Sequence, residues 1–352
     1  MLRFAQSHLS KTVGVLTGGG DCPGLNPAIR GCVYRGLDHG FSFVGLSEGW
    51  KGLVEGLTVP LGLEQVEETI NQGGTILGTS RTNPFKKEGA VDRCLANFEG
   101  LGLDALVAMG GEDTLGVATR FYSEHGLKVV GVPKTMDNDL AATDFTFGFD
   151  TSVTVAVDAA ERLVDTGRSH RRVMVLEVMG RHAGWVALYT GLASGADWIL
   201  LPEDKRIDVE RMCAHLKKAH ARKNVALVIA SEGIKIPGAE AGKEELDEFG
   251  HMILRKRGVA DQLTSLIEEK TGIEARSAVI GHMQRGGPPT LFDRILGTRV
   301  GVAAADLVAE GRFGHMAALR GNEIVPVPLE EATAELKTVP PEWQQLMETF
   351  FK

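Results

Sequence analysis

Short apolar runs that end in glycine-rich turns and lead into helix-like stretches recur along this chain, and that rhythm is the strongest constraint on its fold. The run from Leu103 to Met109 closes in Gly110-Gly111-Glu112-Asp113-Thr114, a helical stretch covers about 114–124, and Lys128 to Val132 follows as another strand. Strand, helix, strand with glycine at the joints is a βαβ unit, and repetition of it builds a parallel sheet covered by helices. Ligands bind such sheets at the carboxyl ends of the strands. The polar loop Pro133-Lys134-Thr135-Met136-Asp137-Asn138-Asp139 falls there, so two adjacent strand ends present acid and point to one site.

The rest of the chain keeps the same punctuation. Thr12 to Thr17 reads as a buried strand, and Gly18 to Asn26 as the turn into a helix with Asn26 as its N-cap and Pro27 at its first position. A glycine turn feeding a helix N-terminus suits a phosphate, although a merely tight turn has the same composition. It is not a dinucleotide fingerprint, because Pro23 stands where the third glycine of GxGxxG belongs, and GxxxxGK[ST] is absent from the chain. Phe41 to Leu46 is a second strand, and the spaced glycines Gly49 and Gly52 in Glu48 to Leu53 suggest a surface loop. Gly73 to Arg81 reads as a strand end that delivers Arg81, either a solvated charge or a guanidinium fork for phosphate oxygens. Glu88 to Glu99 is helical, with Val91, Leu95 and Phe98 on one face.

A helix from Phe149 to about Gly167 opens a second series. Strands are expected at 171–179, 197–201, 225–230 and 275–280, with helices ending near Ala193 and spanning 208–220 and 249–270. Between them lie Gly180 to Trp185, the loop Ser231-Glu232-Gly233, an exposed excursion over 235–248 and a donor-rich turn, Gly281 to Pro289. A helix over 290–310, an edge strand at Ile324 to Val327 marked by Pro326, and a short amphipathic helix near Glu342 complete the chain.

At 352 residues the chain exceeds what one core usually supports, so two α/β lobes are expected. Forty-four glycines exceed the usual fraction of about 7% and sit mainly after apolar runs, as ligand-holding loops require. No apolar run approaches the roughly 18 residues of a membrane span and no signal core precedes Lys11, which predicts a cytoplasmic protein without a membrane role. A net charge of −8 with no Lys/Arg tract argues against nucleic acid. Cys22, Cys32, Cys94 and Cys213 show no CxxC spacing and are expected as reduced, buried thiols.

Paired carboxylates beside glycine turns fit magnesium-assisted phosphoryl transfer: hard oxygens suit a small hard cation, and a carboxylate can accept a hydroxyl proton. Asp-Asn-Asp also forms turns and caps with no chemistry at all. Five strings taken together go further. Gly18 to Asn26, Gly110 to Thr114, Pro133 to Asp139, Met179-Gly180-Arg181-His182-Ala183-Gly184 and Gly281-His282-Met283-Gln284-Arg285-Gly286-Gly287 occur in the order seen in the phosphofructokinase family, which the chain resembles over most of its length.

The resemblance implies two parallel-rich βαβ lobes with the active site in the cleft between them. It places a donor-phosphate lobe at 1–148, joined by about 286–334, and a fructose 6-phosphate lobe at 149–285, joined by 335–352. Asp137 would be the base for the sugar 1-hydroxyl, with Thr135 beside it and Arg181 stabilising the transferring charge. Glu112 and Asp139 would associate with Mg2+, and Gly19 and Arg81 would line the donor phosphates. Met179, Gly180, Glu232, His282 and Arg285 would hold the sugar phosphate, which Arg172 and Arg276 would reach from a neighbouring subunit of a dimer or tetramer.

Two positions depart from the ATP-dependent pattern of that family. Asp113 and Lys134 stand where those enzymes carry glycine, and the chain is more similar to pyrophosphate-dependent members, which carry this Asp and Lys. Aspartate adds bulk and a repelling charge where a nucleotide's α-phosphate would approach, and lysine supplies a point charge for pyrophosphate. Asp113 and Lys134 could instead simply pair with each other. The resemblance thus implies reversible phosphoryl transfer from pyrophosphate to fructose 6-phosphate. Alternatives are an ATP-dependent 6-phosphofructokinase, a more distant lipid or NAD kinase and a non-catalytic sugar-phosphate sensor.

Overall fold

Strand and helix alternate along most of the chain, in a computed structural model that describes residues 11–204, 206–236 and 258–351. The first stretch contains β1 (Thr12–Thr17), α1 (Leu25–Asp38), β2 (Ser42–Leu46), α2 (Trp50–Glu55), β3 (Thr58–Pro60), α3 (Leu63–Val66), α4 (Ala90–Gly100), β4 (Ala105–Gly110), α5 (Glu112–His125) and β5 (Val129–Pro133). There follow α6 (Phe149–His170), β6 (Val173–Val178), α7 (Trp185–Ser194), β7 (Trp198–Leu200), α8 (Val209–Lys223), β8 (Ala226–Ser231), α9 (Val259–Thr271) and β9 (Ala275–Val279). A 3-10 turn at Gly281–Arg285 leads to α10 (Leu291–Glu310), β10 (His315–Arg320), β11 (Glu323–Pro328), α11 (Leu329–Thr333) and α12 (Pro341–Glu348).

The chain divides into two compact units. One comprises 1–134, 142–147 and 291–334; the other comprises 135–141, 148–290 and 335–352. The segment 135–141, assigned from sequence to the first lobe, therefore groups with the second unit, as do 286–290.

In the first unit a seven-stranded sheet runs β11-β10-β5-β4-β1-β2-β3. Its centre is parallel, and β2–β3 and β10–β11 add antiparallel edges. β4 and β5 are buried at every position, as strands covered on both faces must be. Pro326 lies in the edge strand β11, where a missing N–H is harmless. The second unit holds a four-stranded parallel sheet, β7-β8-β6-β9. All four cysteines are free and buried, and burial pushes the Cys32 and Cys94 thiols up to about 12.

Three local expectations are corrected. Residues 48–53 are not a surface loop: α2 forms because Trp50 is buried, stacks on Phe121 at 5.2 Å and donates its indole N–H to Thr114 O at 3.2 Å. Gly73 to Arg81 forms no strand: the Asn26 amide and Thr17 Oγ1 bond its main chain at Gly73, Ile76 and Gly78, and Glu48 N and Gly19 N bond it at Leu77 and Ser80. Asn26 is not the N-cap of α1; Gly24 is, in the left-handed region, while buried Asn26 accepts from Ile76 N at 2.8 Å and donates to Gln72 O and Gly73 O. On α4 the buried positions are Ala90 and Cys94, with Val91, Leu95 and Phe98 half-buried. Most of the expected excursion, and residues 249–257 of the expected long helix, lie outside the described residues. Among those described, no helix is long and apolar enough to cross a membrane.

The first unit depends on a close crossing of α1 and α10. A Cβ on Gly301 would stand 2.1 Å from Ala28 O, and one on Gly31 would stand 2.5 Å from Thr298 O, so backbone meets backbone at both points. Gly301→Ala should accordingly destabilise the protein by about 1–3 kcal/mol through forced helix separation. Chemical denaturation measures this, and an unchanged midpoint would show that the helices can part freely.

Candidate active site

In the first unit, strand register sets the geometry. Thr17 of β1 pairs with Met109 of β4, and Gly110 pairs with Pro133 of β5, so the three strands end level. Their loops then bond sideways, Gly18 N to Met109 O at 3.0 Å and Lys134 N to Gly110 O at 3.0 Å. Gly110 has to be glycine, since a Cβ there would lie 2.2 Å from that of Thr114. Around this ledge the Gly19 N–H donates to Ser80 O at 3.1 Å and its carbonyl accepts from Thr79 Oγ1 at 2.6 Å. The residues that precede Arg81 are thereby fixed beside Gly19, and Arg81 itself is exposed.

Lys134 is buried, and its ammonium donates to Gly20 O. Its Nζ also lies 3.4 Å from where a Cβ on Gly19 would be. A buried cation against a glycine turn is a local basic point in an otherwise acidic chain, and suits an anion. Glu112 and Asp113 occupy the first turn of α5, where their charge complements the helix dipole.

In the second unit, the loop Thr135–Asp139 is closed by its own threonine. Thr135 Oγ1 accepts from Asp137 N at 3.1 Å and donates to Asp139 Oδ1 at 3.0 Å. Asn138, between the two acids, is buried with φ 53°, a left-handed conformation that asparagine tolerates better than most residues. Glu232 follows β8, and its N–H donates to Val178 O at 2.9 Å. Ser231 Oγ donates to Gly180 O, tying the end of β8 to the loop that carries Arg181. Buried Gln284 accepts from Met179 N at 2.8 Å and donates to Ser152 Oγ at 3.0 Å, so the 3-10 turn bearing His282 and Arg285 is pinned to the end of β6 and to α6.

Asp137, Arg181, Glu232 and Arg285 are thus electrostatic neighbours. Burial, and then the Asp137 carboxylate, push Glu232 up to about 7, against the pull of Arg181 and Arg285. Burial likewise raises Glu177, which accepts from Ala260 N at 2.8 Å. His282 is exposed on the same turn.

Arg172 and Arg276 are not brought to this group. They flank the opposite, amino-terminal ends of β6 and β9, roughly 15–20 Å of strand away. There both contact Glu274, Arg172 at 2.9 Å, and this holds the Glu274 carboxyl below its usual range. Sequence reading missed Gln284 as a separate element of the site, and also Ser231. The one available signal was an amide or hydroxyl at a strand end inside a glycine-rich string.

The raised Glu232 has a measurable consequence. Between about pH 4.5 and 7 the folded state binds this proton and the unfolded chain releases it, so stability falls as pH rises through that window. Glu232→Gln should remove the loss, giving a gain of about 1–3 kcal/mol near pH 8 that vanishes near pH 4. Denaturation at several pH values tests this, and parallel profiles for the two proteins would contradict it.

Comparison with known proteins agrees with this architecture. Residues 12–308 match the phosphofructokinase family. The chain is 53% identical over 343 residues to a pyrophosphate--fructose 6-phosphate 1-phosphotransferase of Dictyoglomus thermophilum, covering 96% of this chain and 98% of that one. It is also 48% identical over 333 residues to ATP-dependent 6-phosphofructokinase 3 of Streptomyces coelicolor, covering 93% and 96%. Among solved structures, Pichia pastoris phosphofructokinase superposes with a TM-score of 0.79 at 28% identity over 97% of this chain, which spans 37% of that longer chain. A pyrophosphate-dependent phosphofructokinase from Nitrosospira multiformis shares the fold, with a TM-score of 0.82 at 21% identity over 94% of this chain and 86% of that one. The chain belongs to the phosphofructokinase family.

Proposed function

We propose that this protein transfers a phosphoryl group from pyrophosphate to the 1-hydroxyl of fructose 6-phosphate, reversibly, giving fructose 1,6-bisphosphate and phosphate in glycolysis or gluconeogenesis. The observation that carries the choice of donor is the buried Lys134 ammonium against the Gly19-Gly20 turn, with Asp113 in the neighbouring helix turn. Named relatives support it: a second pyrophosphate-using enzyme, from Amycolatopsis methanolica, is 54% identical over 342 residues, covering 96% of this chain and 99% of that one, and the ATP-dependent Streptomyces enzyme stands lower.

In this reading the first unit supplies the donor side. Lys134, Gly19 and Arg81 bind pyrophosphate oxygens, and Asp113 repels a nucleotide's additional phosphate and occupies its space. The second unit supplies the acceptor side. Asp137 takes the proton of the sugar 1-hydroxyl, Thr135 orients the loop and the hydroxyl, and Arg181 neutralises charge on the transferring group. Glu232, whose carboxyl is raised to about 7, donates a hydrogen bond to the sugar in its protonated form, and Met179, Gly180, His282 and Arg285 complete its binding. Arg172 and Arg276 would exchange their Glu274 contacts for the sugar phosphate of a neighbouring subunit in a homo-oligomer.

Among the described residues no group of three or more His, Cys, Asp or Glu side chains could cage a metal. Mg2+ carried by pyrophosphate would keep several waters and need only one or two carboxylates, for which Glu112 and Asp139 are the candidates. When bound, the cation would neutralise charge on the phosphates. Work in the cytoplasm is part of the same proposal.

A coupled assay with each donor tests the reading: turnover with pyrophosphate is expected, and turnover with ATP alone would overturn it. The double variant Asp113→Gly, Lys134→Gly should lose about 10–100-fold in kcat/KM for pyrophosphate, the worth of one charge-assisted hydrogen bond, and gain use of ATP. No gain with ATP would refute the steric and charge account of donor choice.

A further inference from the structure

A short piece of chain near the carboxyl terminus, Leu336 to Val339, is bonded to both loops to which the reaction is assigned. On one side, Lys337 N donates to Asp139 O at 2.8 Å, and Leu336 forms an antiparallel bridge with Leu140. The Lys337 ammonium donates to Asn138 Oδ1 at 3.0 Å. On the other side, Trp185 Nε1 donates to Lys337 O at 2.8 Å, four residues beyond Arg181. Glu203 Oε1 accepts from Gly184 N and from Val339 N, each at 2.9 Å, so one carboxylate oxygen holds the Arg181 loop and the strap together. The Lys337 ammonium also lies 5.7 Å from the centre of the Trp185 ring.

We infer that Lys337 is a positioning residue, which through Asn138 sets the left-handed turn that aims Asp137. The inference rests on the reading of Asp137 as the proton acceptor. Asn138 holds φ 53° while buried, a conformation that costs free energy and persists only where surrounding contacts over-determine it. Thr135 closes the loop from within, and Lys337 is its anchor from outside. The strap's main-chain bonds to Asp139 and Leu140 fix where the loop lies. The ammonium on the Asn138 amide fixes the peptide planes on either side of Asn138, and with them the direction of the Asp137 side chain. Trp185, bonded to the same residue, registers the Arg181 loop on the same strap.

Lys337→Met removes the ammonium but keeps the stem and all the main-chain bonds. Its kcat should fall about 10–100-fold, the usual effect of an ångström-scale misplacement, with KM for fructose 6-phosphate within a few-fold of wild type. Amide hydrogen exchange over 136–140 in the substrate-free protein should quicken. Lys337→Arg, which restores a donor, should recover a good part of both effects. Asn138→Gly keeps the left-handed turn and removes the acceptor, so the double variant with Lys337→Met should be no worse than the poorer single. Unchanged exchange over 136–140, or fully additive losses in the double variant, would overturn the inference. Exchange is read without donor or acceptor, and kcat can be taken with whichever donor proves active. Failure of the pyrophosphate assignment would therefore be seen separately from failure of this one.

Discussion

The parallel pairing of β1, β4 and β5 is the constraint on which the loops of the first unit depend. Because Thr17 stands opposite Met109 and Gly110 opposite Pro133, three loops leave the sheet at one level and can bond to each other through main-chain atoms. A slip of one residue would turn every side chain of a strand to the other face and would break the loop bonds from Gly18 N to Met109 O and from Lys134 N to Gly110 O. Lys134 is then delivered to the Gly19-Gly20 turn by the end of β5, without any contribution from its own conformational preference. Position here is a property of the sheet.

In the second unit, the candidate site is organised by charge. Asp137 and Glu232 are like-charged neighbours with Arg181 and Arg285 close by, and burial makes it costly to ionise both acids. Burial and the Asp137 carboxylate raise Glu232 to about 7, and in the proposed reaction Asp137 is the group that accepts the proton.

Much of this is legible in the sequence, for identifiable reasons. The β4–α5–β5 unit announces itself because apolar runs of strand length alternate with a helical stretch and each joint carries glycine. The second series of strands follows by the same rule. What stays hidden depends on contacts distant in sequence. The glycine spacing around Trp50 imitates a loop, and only its burial against Phe121 and its bond to Thr114 O make that stretch a helix. Asn26 looks like a cap because asparagine commonly is one; its partners are backbone atoms some fifty residues on. For the candidate site, the strings at strand ends contain Lys134, Asp137 and Arg181, whereas Glu232 lies outside them, in the loop after β8. The strap is invisible, since Lys337 belongs to no string and acquires its partners only when residues some two hundred positions apart are brought together.

The account stands or falls on Asp137. Steady-state kinetics of Asp137→Asn, which keeps the shape of the side chain and removes its basicity, is the most direct test. The expected result is a loss of about 10²–10⁴ in kcat with KM for fructose 6-phosphate changed only a few-fold. A kcat within about threefold of wild type would show that another group takes the proton, and would contradict the central claim.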